Sequence, residues 1–249
     1  MLLLVHPPGV AARSLRTLTP SRWCRSTAPR LTAASAWDHV RDVAERDVRD
    51  LLAQEIAAQH VAASVVDCGS GAGQMTDRLD ARMDWFSTII GVDKDLNAVA
   101  RARCVVPNIA FIHSDFNKLG AQYHVSTLAF VCHDLTTHAA RKAIKNLSER
   151  SETLYILDVD PDAVTYEYAL RFFNEKRITQ YGQHFNGVLN EFGAERIEGL
   201  NFPAEIAAWR ISAGLEVDTF TGYTADASAK MRPVAQVAQG NLAIALRKK

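Results

Sequence analysis

The sequence predicts an α/β fold, in which helices cover both faces of a doubly wound, mostly parallel sheet of seven strands. Short apolar runs of strand length alternate along the chain with amphipathic segments whose apolar residues recur every three or four positions. The first apolar run ends in a cluster of glycines. The 249 residues, 48% of them hydrophobic, are enough to bury one full core. Strands that alternate with helices are typical of parallel sheets.

The predicted elements follow one another in that rhythm. The helices cover residues 37–60, 74–84, 96–104, 139–147 and 204–212. The strands cover residues 62–67, 87–92, 109–113, 123–132, 153–158, 216–221 and 241–247. An aromatic-rich segment at about 162–203 interrupts the alternation, and we predict that it is a lid-like insertion. Its side chains either line a pocket or form the packed face of a helix, and both interpretations stay open for Tyr166, Tyr168, Phe172, Phe173, Tyr181 and His184.

The first 36 residues differ in composition from the rest of the chain. They are rich in serine and threonine, no acidic residue precedes Asp38, and they contain Arg13, Arg16, Arg22, Arg25 and Arg30. This composition is typical of a mitochondrial or plastid transit peptide, and a disordered basic tail is the alternative. We therefore expect residues 37–249 to form the folded domain and the protein to lie in the mitochondrial matrix.

Charge and hydropathy limit the expected partners. The chain has 28 basic and 28 acidic residues, so removal of the five leader arginines leaves an excess of five acidic residues. A protein that grips phosphate backbones would show a basic excess, so we do not expect nucleic acid as the main partner. No run approaches the roughly 18 apolar residues of a membrane-spanning helix. The cysteines form no C-x-x-C pair, and no metal site is predicted.

A glycine-rich turn separates the first predicted strand from the next helix. Gly69, Gly71 and Gly73 follow Asp67 at intervals of two residues. Such a turn presents backbone N–H groups at a helix N-terminus, where a carboxylate or phosphate of a ligand binds well. A glycine pattern alone also occurs in merely tight turns. Its spacing differs from the G-x-G-x-x-G of dinucleotide-binding proteins, which disfavours NAD.

The segment around this turn resembles the first signature of class I methyltransferases that use S-adenosylmethionine. The run that carries the resemblance is Val65-Val66-Asp67-Cys68-Gly69-Ser70-Gly71-Ala72-Gly73. The resemblance implies this cofactor and a final antiparallel strand. It also implies that Asp93, beside Lys94, binds the ribose hydroxyls, and that Asp115, followed by Phe116, binds the adenine. The implied cofactor-binding residues are Asp67, Gly69, Ser70, Gly71, Gly73, Asp93, Lys94, Asp115, Phe116 and Cys132.

The end of the fourth predicted strand, Cys132-His133-Asp134-Leu135, lies next to the methyl site in this family. The resemblance therefore makes His133 and Asp134 candidates for acceptor contact or for the general base, and a histidine pKa of about 6.5 suits proton removal near neutrality. Alternatively, His133 is a pocket wall and Asp134 caps the following helix. The Asn/Asp-Pro-Pro-Tyr-like motif of amino-group methyltransferases is missing here, so we expect an oxygen or carbon acceptor on a small molecule.

Two other functions stay open from the sequence. The fold also suits a mitochondrial assembly or ribosome-associated factor with weak or no catalysis, because Lys94 beside Asp93 is unusual and no residue is decisively catalytic. Methylation of RNA or protein in the organelle is the other alternative. A mitochondrial ribosomal or assembly particle is therefore a further possible partner besides a small-molecule acceptor.

Overall fold

The structure is a computed structural model that describes residues 48–163 and 176–215. The predicted transit peptide and the predicted strands at 216–221 and 241–247 lie outside the described residues. So does the first part of the helix predicted at 37–60.

A seven-stranded sheet organises the described residues. Its strands are β1 (Ser64–Cys68), β2 (Thr88–Asp93), β3 (Ala110–His113), β4 (Tyr123–Ala129), β5 (Ser151–Val159), β6 (Glu195–Arg196) and β7 (Ile206–Ser212). The spatial order is β3-β2-β1-β4-β5-β7-β6. Strands β1 to β5 run parallel to one another, whereas β7 runs antiparallel to both β5 and β6. The predicted mostly parallel sheet with an antiparallel last strand is confirmed.

Helices flank the sheet. They are α1 (Val48–Gln59), α2 (Gln74–Arg82), α3 (Leu96–Val105), α4 (Thr137–Ser148) and α5 (Lys176–Glu191). Of these, α2, α3 and α4 connect successive parallel strands. Helix α1 packs on α2, and α4 packs on α5. Side-chain oxygens of Asp95 and Thr136 cap the N-termini of α3 and α4, which satisfies backbone N–H groups that have no partner inside the helix. Within the described ranges, no helix combines the length and apolarity needed to cross a membrane.

The topology places a crevice at the carboxyl ends of β1 and β4. From β1 the chain winds outward to β2 and β3, and it then returns to the other side of β1 with β4. Open α/β sheets bind ligands at such a reversal, because the connections on either side diverge there. The central strands β1, β4 and β5 are almost wholly buried, which explains their nearly continuous apolar sequences.

The helix predicted at 204–212 is wrong, because this segment contains β7. Ile206, Ala207, Ala208 and Trp209 are all buried, so the strand shows no alternation of apolar and polar residues. A short, fully buried apolar run fits a strand or a helix equally well by periodicity. The segment is a strand because it pairs with β5 along its whole length. Local sequence does not encode such a long-range contact.

The second half of the segment predicted as a lid-like insertion contributes to the core. Helix α5 buries Tyr181 and Phe185, whose rings stack with centroids 4.5 Å apart. Phe185 also meets Trp209 of β7 edge-on, at a centroid distance of 6.0 Å. For Tyr181 and Phe185 the packed helix face is therefore the correct interpretation. Residues 164–175, with Tyr166, Tyr168, Phe172 and Phe173, lie outside the described residues.

Candidate cofactor and acceptor site

The glycine turn is bound to the neighbouring strand through its backbone. The N–H groups of Gly69 and Ser70 both donate to the carbonyl of Val92 at the end of β2, at 2.8 and 3.1 Å. Gly69, Gly71 and Gly73 have φ angles of 72°, 55° and 87°, in the left-handed region that favours glycine. The turn therefore needs glycine for its backbone shape, and it opens directly into α2.

Space around the turn differs from glycine to glycine. A Cβ atom at Gly69 would lie 2.6 Å from Val131, and one at Gly73 would lie 3.0 Å from Phe111. At Gly71 an added Cβ would meet no atom of the described residues within 4 Å. The outer two glycines thus permit close packing, whereas Gly71 borders open space. A side chain at position 71 would extend into that space.

Asp67 lies beneath the turn as a buried carboxylate. Its two oxygens accept hydrogen bonds from the hydroxyls of Thr76 on α2 and Thr127 on β4, at 2.6 and 2.8 Å. Burial raises the pKa of Asp67, and the two hydroxyls together with the charge of Arg49 offset part of that rise. Asp67 therefore joins β1, α2 and β4, and it acts on the site by holding the turn in place.

Asp93 stands at the rim of the turn. One carboxylate oxygen accepts the N–H of Gly71 at 2.8 Å, and the other accepts the N–H of Asp95 at 2.8 Å. The side chain is half-buried, so part of the carboxylate faces the open space. Its neighbour Lys94 is exposed. The structure thus brings the glycine turn and the predicted ribose-binding acid into direct contact.

Asp115 and Phe116 follow β3, which lies beside β2 in the sheet. Oδ1 of Asp115 accepts hydrogen bonds from the backbone N–H and the side-chain amide of Asn117, at 2.9 and 3.0 Å. Phe116 begins a short 3-10 turn and packs against the core while staying half-buried. Asp115 and Phe116 therefore lie at the same edge of the sheet as Asp93.

Ser70 is buried, and its hydroxyl has no hydrogen-bond partner among the described residues. The hydroxyl oxygen lies 3.0 Å from the position of a Cβ built on Gly91 of β2. The side chain of Ser70 is thus directed at β2, and its backbone N–H is already bonded to Val92. Ser70 therefore helps to close the turn against the sheet.

The chain turns sharply where β4 ends. Phe130 has a φ of 58°, uncommon for a bulky residue, and its N–H donates to the carbonyl of Leu157 at 2.7 Å. Val131 then contacts Gly69 of the glycine turn, and a 3-10 turn covers Cys132–Asp134. The predicted acceptor-side residues therefore lie directly beside the glycine turn.

His133 is only 4% exposed and is held between two carboxylates. Its Nδ1 atom lies 2.8 Å from Oδ1 of Asp158, and its Nε2 atom lies 3.6 Å from Oδ1 of Asp134, whose side chain is 79% exposed. Burial lowers the pKa of His133, but the charge and hydrogen bond of Asp158 and the charge of Asp134 outweigh that effect. The pKa of His133 therefore lies above its usual value of 6.5.

Asp158, at the end of β5, is a site residue that the sequence analysis missed. It is fully buried and adjoins the Cys132–Asp134 turn. The available signal was its position: like Asp67 and Asp93, it is an acid that ends or nearly ends a strand. The contact with His133 depends on the pairing of β4 with β5, which no local pattern shows.

Cys132 is a buried, free thiol. Burial and the charge of Asp158 raise the pKa of Cys132 well above its usual range, so the thiol stays protonated and unreactive near neutral pH. It lines a small cavity together with Leu135, Tyr181 and Phe185. Cys132 thus provides an apolar wall. Among the described residues, no cluster suited to a metal ion occurs.

Comparison with protein families identifies the central part of the chain. Residues 65–152 match the family described as methyltransferase domain. The match begins in β1 and ends in β5, so it includes the glycine turn, the acids that follow β2 and β3, and the Cys132–Asp134 turn. A comparison with curated proteins finds no match.

Several solved structures share the fold. The plantazolicin methyltransferase BpumL, in complex with a monoazolic desmethylPZN analogue and S-adenosylhomocysteine, is 16% identical, with 71% of this chain and 88% of that chain covered and a TM-score of 0.54. The plantazolicin methyltransferase BamL is 14% identical, with 72% and 90% covered and a TM-score of 0.52. Magnesium protoporphyrin IX methyltransferase from Synechocystis PCC 6803 is 16% identical, with 70% and 91% covered and a TM-score of 0.51. These likenesses show a common fold.

Residues 65–152 therefore match a methyltransferase domain, and the sheet around them has a Rossmann-like strand order. The match agrees with the family that the glycine signature predicted. The roles of the individual site residues stay predictions.

Proposed function

We propose that this protein is an S-adenosylmethionine-dependent methyltransferase that acts in the mitochondrial matrix and transfers the methyl group to an oxygen or carbon atom of a small molecule. The observation that carries the proposal is the open space at Gly71, bordered by Asp93 and lying beside the turn that holds His133. A cofactor and an acceptor can meet there. Proteins with this fold include a plantazolicin methyltransferase and a magnesium protoporphyrin IX methyltransferase, whose names also refer to discrete organic molecules.

The residues of the turn and of the neighbouring strands suit the cofactor. The glycine turn leaves room for close approach of a ligand, and Asp93 offers carboxylate oxygens, which only accept hydrogen bonds and so match a ribose diol. We assign the adenine to Asp115 and Phe116, which follow β3 at the same edge of the sheet as Asp93. When bound, S-adenosylmethionine supplies a methyl group already activated by its sulfonium sulfur. The chain must therefore mainly orient the acceptor and remove its proton.

On the acceptor side, His133 is the residue proposed to take that proton. It is anchored by Asp158 and lies on the turn that follows β4, whose Val131 touches the glycine turn. Cys132 and Leu135, which lie on the same turn, add apolar surface beside it. An apolar wall with one polar, proton-accepting group suits a small organic acceptor.

The experiment that tests this function is transfer of a labelled methyl group. The full chain is incubated with methyl-labelled S-adenosylmethionine and, separately, with the small-molecule, RNA, ribosomal and protein fractions of mitochondria. We expect label in the small-molecule fraction. Label confined to RNA or protein would contradict the proposed acceptor, and binding to ribosomes without any transfer would favour an assembly factor.

A matched pair of variants controls the transfer assay. Asp93→Ala removes a carboxylate that contacts the glycine turn, and we expect it to lose transfer. Asp84→Ala removes a carboxylate that also accepts loop N–H groups, from Ala62 and Phe86, but lies before β2 at the opposite edge of the sheet. We expect Asp84→Ala to retain transfer, and equal loss in both variants would count against a specific role of Asp93.

The proposed location rests on the composition of residues 1–36. We expect isolated mitochondria to take up the full chain and to exclude a variant of equal length in which glutamine replaces Arg13, Arg16, Arg22, Arg25 and Arg30. Equal uptake of both proteins would contradict an arginine-dependent transit peptide.

A further inference from the structure

Asp158 and His133 form a buried pair at the turn that follows β4. Oδ1 of Asp158 lies 2.8 Å from Nδ1 of His133 and also accepts the N–H of Val159 at 2.8 Å. Oδ2 accepts the N–H groups of Cys132 and His133, at 2.8 and 3.3 Å. The three backbone groups can only donate, so Asp158 acts towards them as an acceptor. The tautomer of His133 that satisfies the same carboxylate carries its proton on Nδ1.

That tautomer has a chemical consequence. A neutral imidazole with its proton on Nδ1 has its lone pair on Nε2, the atom that faces away from Asp158. Nε2 lies on the side of the exposed Asp134. The ring is therefore oriented as a base, with its lone pair presented by Nε2 and its proton fixed at the buried end.

We propose that Asp158 is the positioning residue of this methyltransferase, which fixes His133 in the orientation and tautomer in which Nε2 takes the proton of the acceptor. The inference rests on the proposed function. In this step the lone pair of Nε2 forms the new N–H bond, and the electron pair of the broken acceptor–hydrogen bond stays on the acceptor atom. The imidazolium that results lies between the carboxylates of Asp158 and Asp134.

The other titratable groups around the pair do not compete for this role. Asp160, also at the end of β5, is bonded to Arg196 of β6 at 2.6 Å. Tyr181 of α5 donates to the carbonyl of Val159 at 2.8 Å, and burial raises the pKa of Tyr181 well above its usual range. Burial likewise raises the pKa of Cys132. Tyr181 and Cys132 thus stay neutral near pH 7, and Asp158 and Asp134 are the acids that act on His133.

The first test needs no acceptor and uses the full chain with ¹⁵N-labelled histidine. Nuclear magnetic resonance reports both the tautomer of His133 and its pKa. We expect the Nδ1-protonated tautomer and a pKa above 6.5 in the wild type, because the two carboxylates favour the charged ring. Asp158→Asn is expected to lower this pKa, and Asp134→Asn to lower it less. A wild-type ring that is protonated on Nε2, or that titrates below 6.5, would overturn the inference.

The second test is the pH profile of methyl transfer to the small-molecule fraction. The base must be neutral to act, so wild-type activity falls as the pH drops through the raised pKa of His133. Asp158→Asn is expected to lower the plateau by about 100-fold or more, because a general base that is held in the wrong tautomer loses most of its usual contribution. The acidic limb of the pH profile of Asp158→Asn is expected to move to lower pH. A variant that lost activity only because its structure was disturbed would not show this shift.

The outcomes separate the two proposals. Transfer by the wild type together with an unmoved acidic limb in Asp158→Asn would overturn the positioning role alone. No transfer by the wild type to any fraction would overturn the proposed function. If Asp158→Asn does not fold, the inference is tested by the wild-type tautomer of His133 and by the Asp134→Asn variant, whose changed residue is exposed. An unchanged pKa of His133 in Asp134→Asn would contradict the arrangement of the ring between two carboxylates.

Discussion

Single side chains decide whether the glycine turn keeps its shape. Asp67 is a carboxylate without exposure to water, and its two oxygens depend on hydroxyl donors from α2 and β4. Loss of one donor would leave a buried, charged oxygen unsatisfied, which costs more than the hydrogen bond itself contributes. The turn therefore owes its position to side chains that never reach the open space at Gly71.

Thr127→Val tests this dependence. The change keeps the shape of the side chain and removes the hydroxyl that donates to Asp67 at 2.8 Å. We expect the free energy of unfolding to fall by about 1–3 kcal/mol, measured by urea denaturation. Thr88→Val, at an exposed position of β2, is the control and should stay within about 0.5 kcal/mol of the wild type. Equal stability of both variants would show that the hydroxyl of Thr127 does not support Asp67.

Residues whose roles depend on local spacing could be predicted from the sequence. The glycine turn and Asp93 were found in this way, and the structure brings them into contact through the N–H of Gly71. Asp158 was missed, because its partner His133 is 25 residues away and is reached only through the pairing of two strands. The spacing of residues along the sequence thus predicts contacts of the glycine turn. The contact between His133 and Asp158 depends instead on the pairing of β4 with β5.

Among the elements, helix α5 and strand β7 depart most from the sequence-based expectation. Both bury nearly all of their apolar residues, and rings from the two elements meet in the core. Periodicity could not distinguish a buried strand from a helix in the short segment of β7. The five parallel strands, in contrast, were predicted to within a few residues because glycines, acids or charged helices separate them clearly.

Phe185→Ala tests whether α5 is a core element. Phe185 is 2% exposed and contacts Tyr181 and Trp209, so its truncation leaves a cavity. We expect a loss of about 3–5 kcal/mol in the free energy of unfolding, measured by urea denaturation. Phe86→Ala, at a side chain that is 48% exposed, should have a much smaller effect. A stable Phe185→Ala protein would instead indicate that α5 is a lid that lies loosely on the domain.

At the scale of the whole molecule, the reversal of strand order explains why the site residues converge. Strands β1 to β4 are parallel, so the segments that follow them reach one edge of the sheet. Asp93, Asp115 and His133 come from three such segments, and the glycine turn comes from a fourth. An acceptor could not be derived in the same way, because the same edge of this fold serves many substrates.

The central claim is that the space above the glycine turn binds S-adenosylmethionine, and calorimetric titration of the full chain tests it most directly. We predict binding in the micromolar range or tighter for the wild type and none for Gly71→Arg, whose side chain would fill that space. Gly193→Arg is the matched control, because Gly193 also has a left-handed backbone and open surroundings but lies beyond α5. Retained binding in Gly193→Arg with loss in Gly71→Arg is the predicted result. No binding by the wild type, or equal binding by both variants, would contradict the claim.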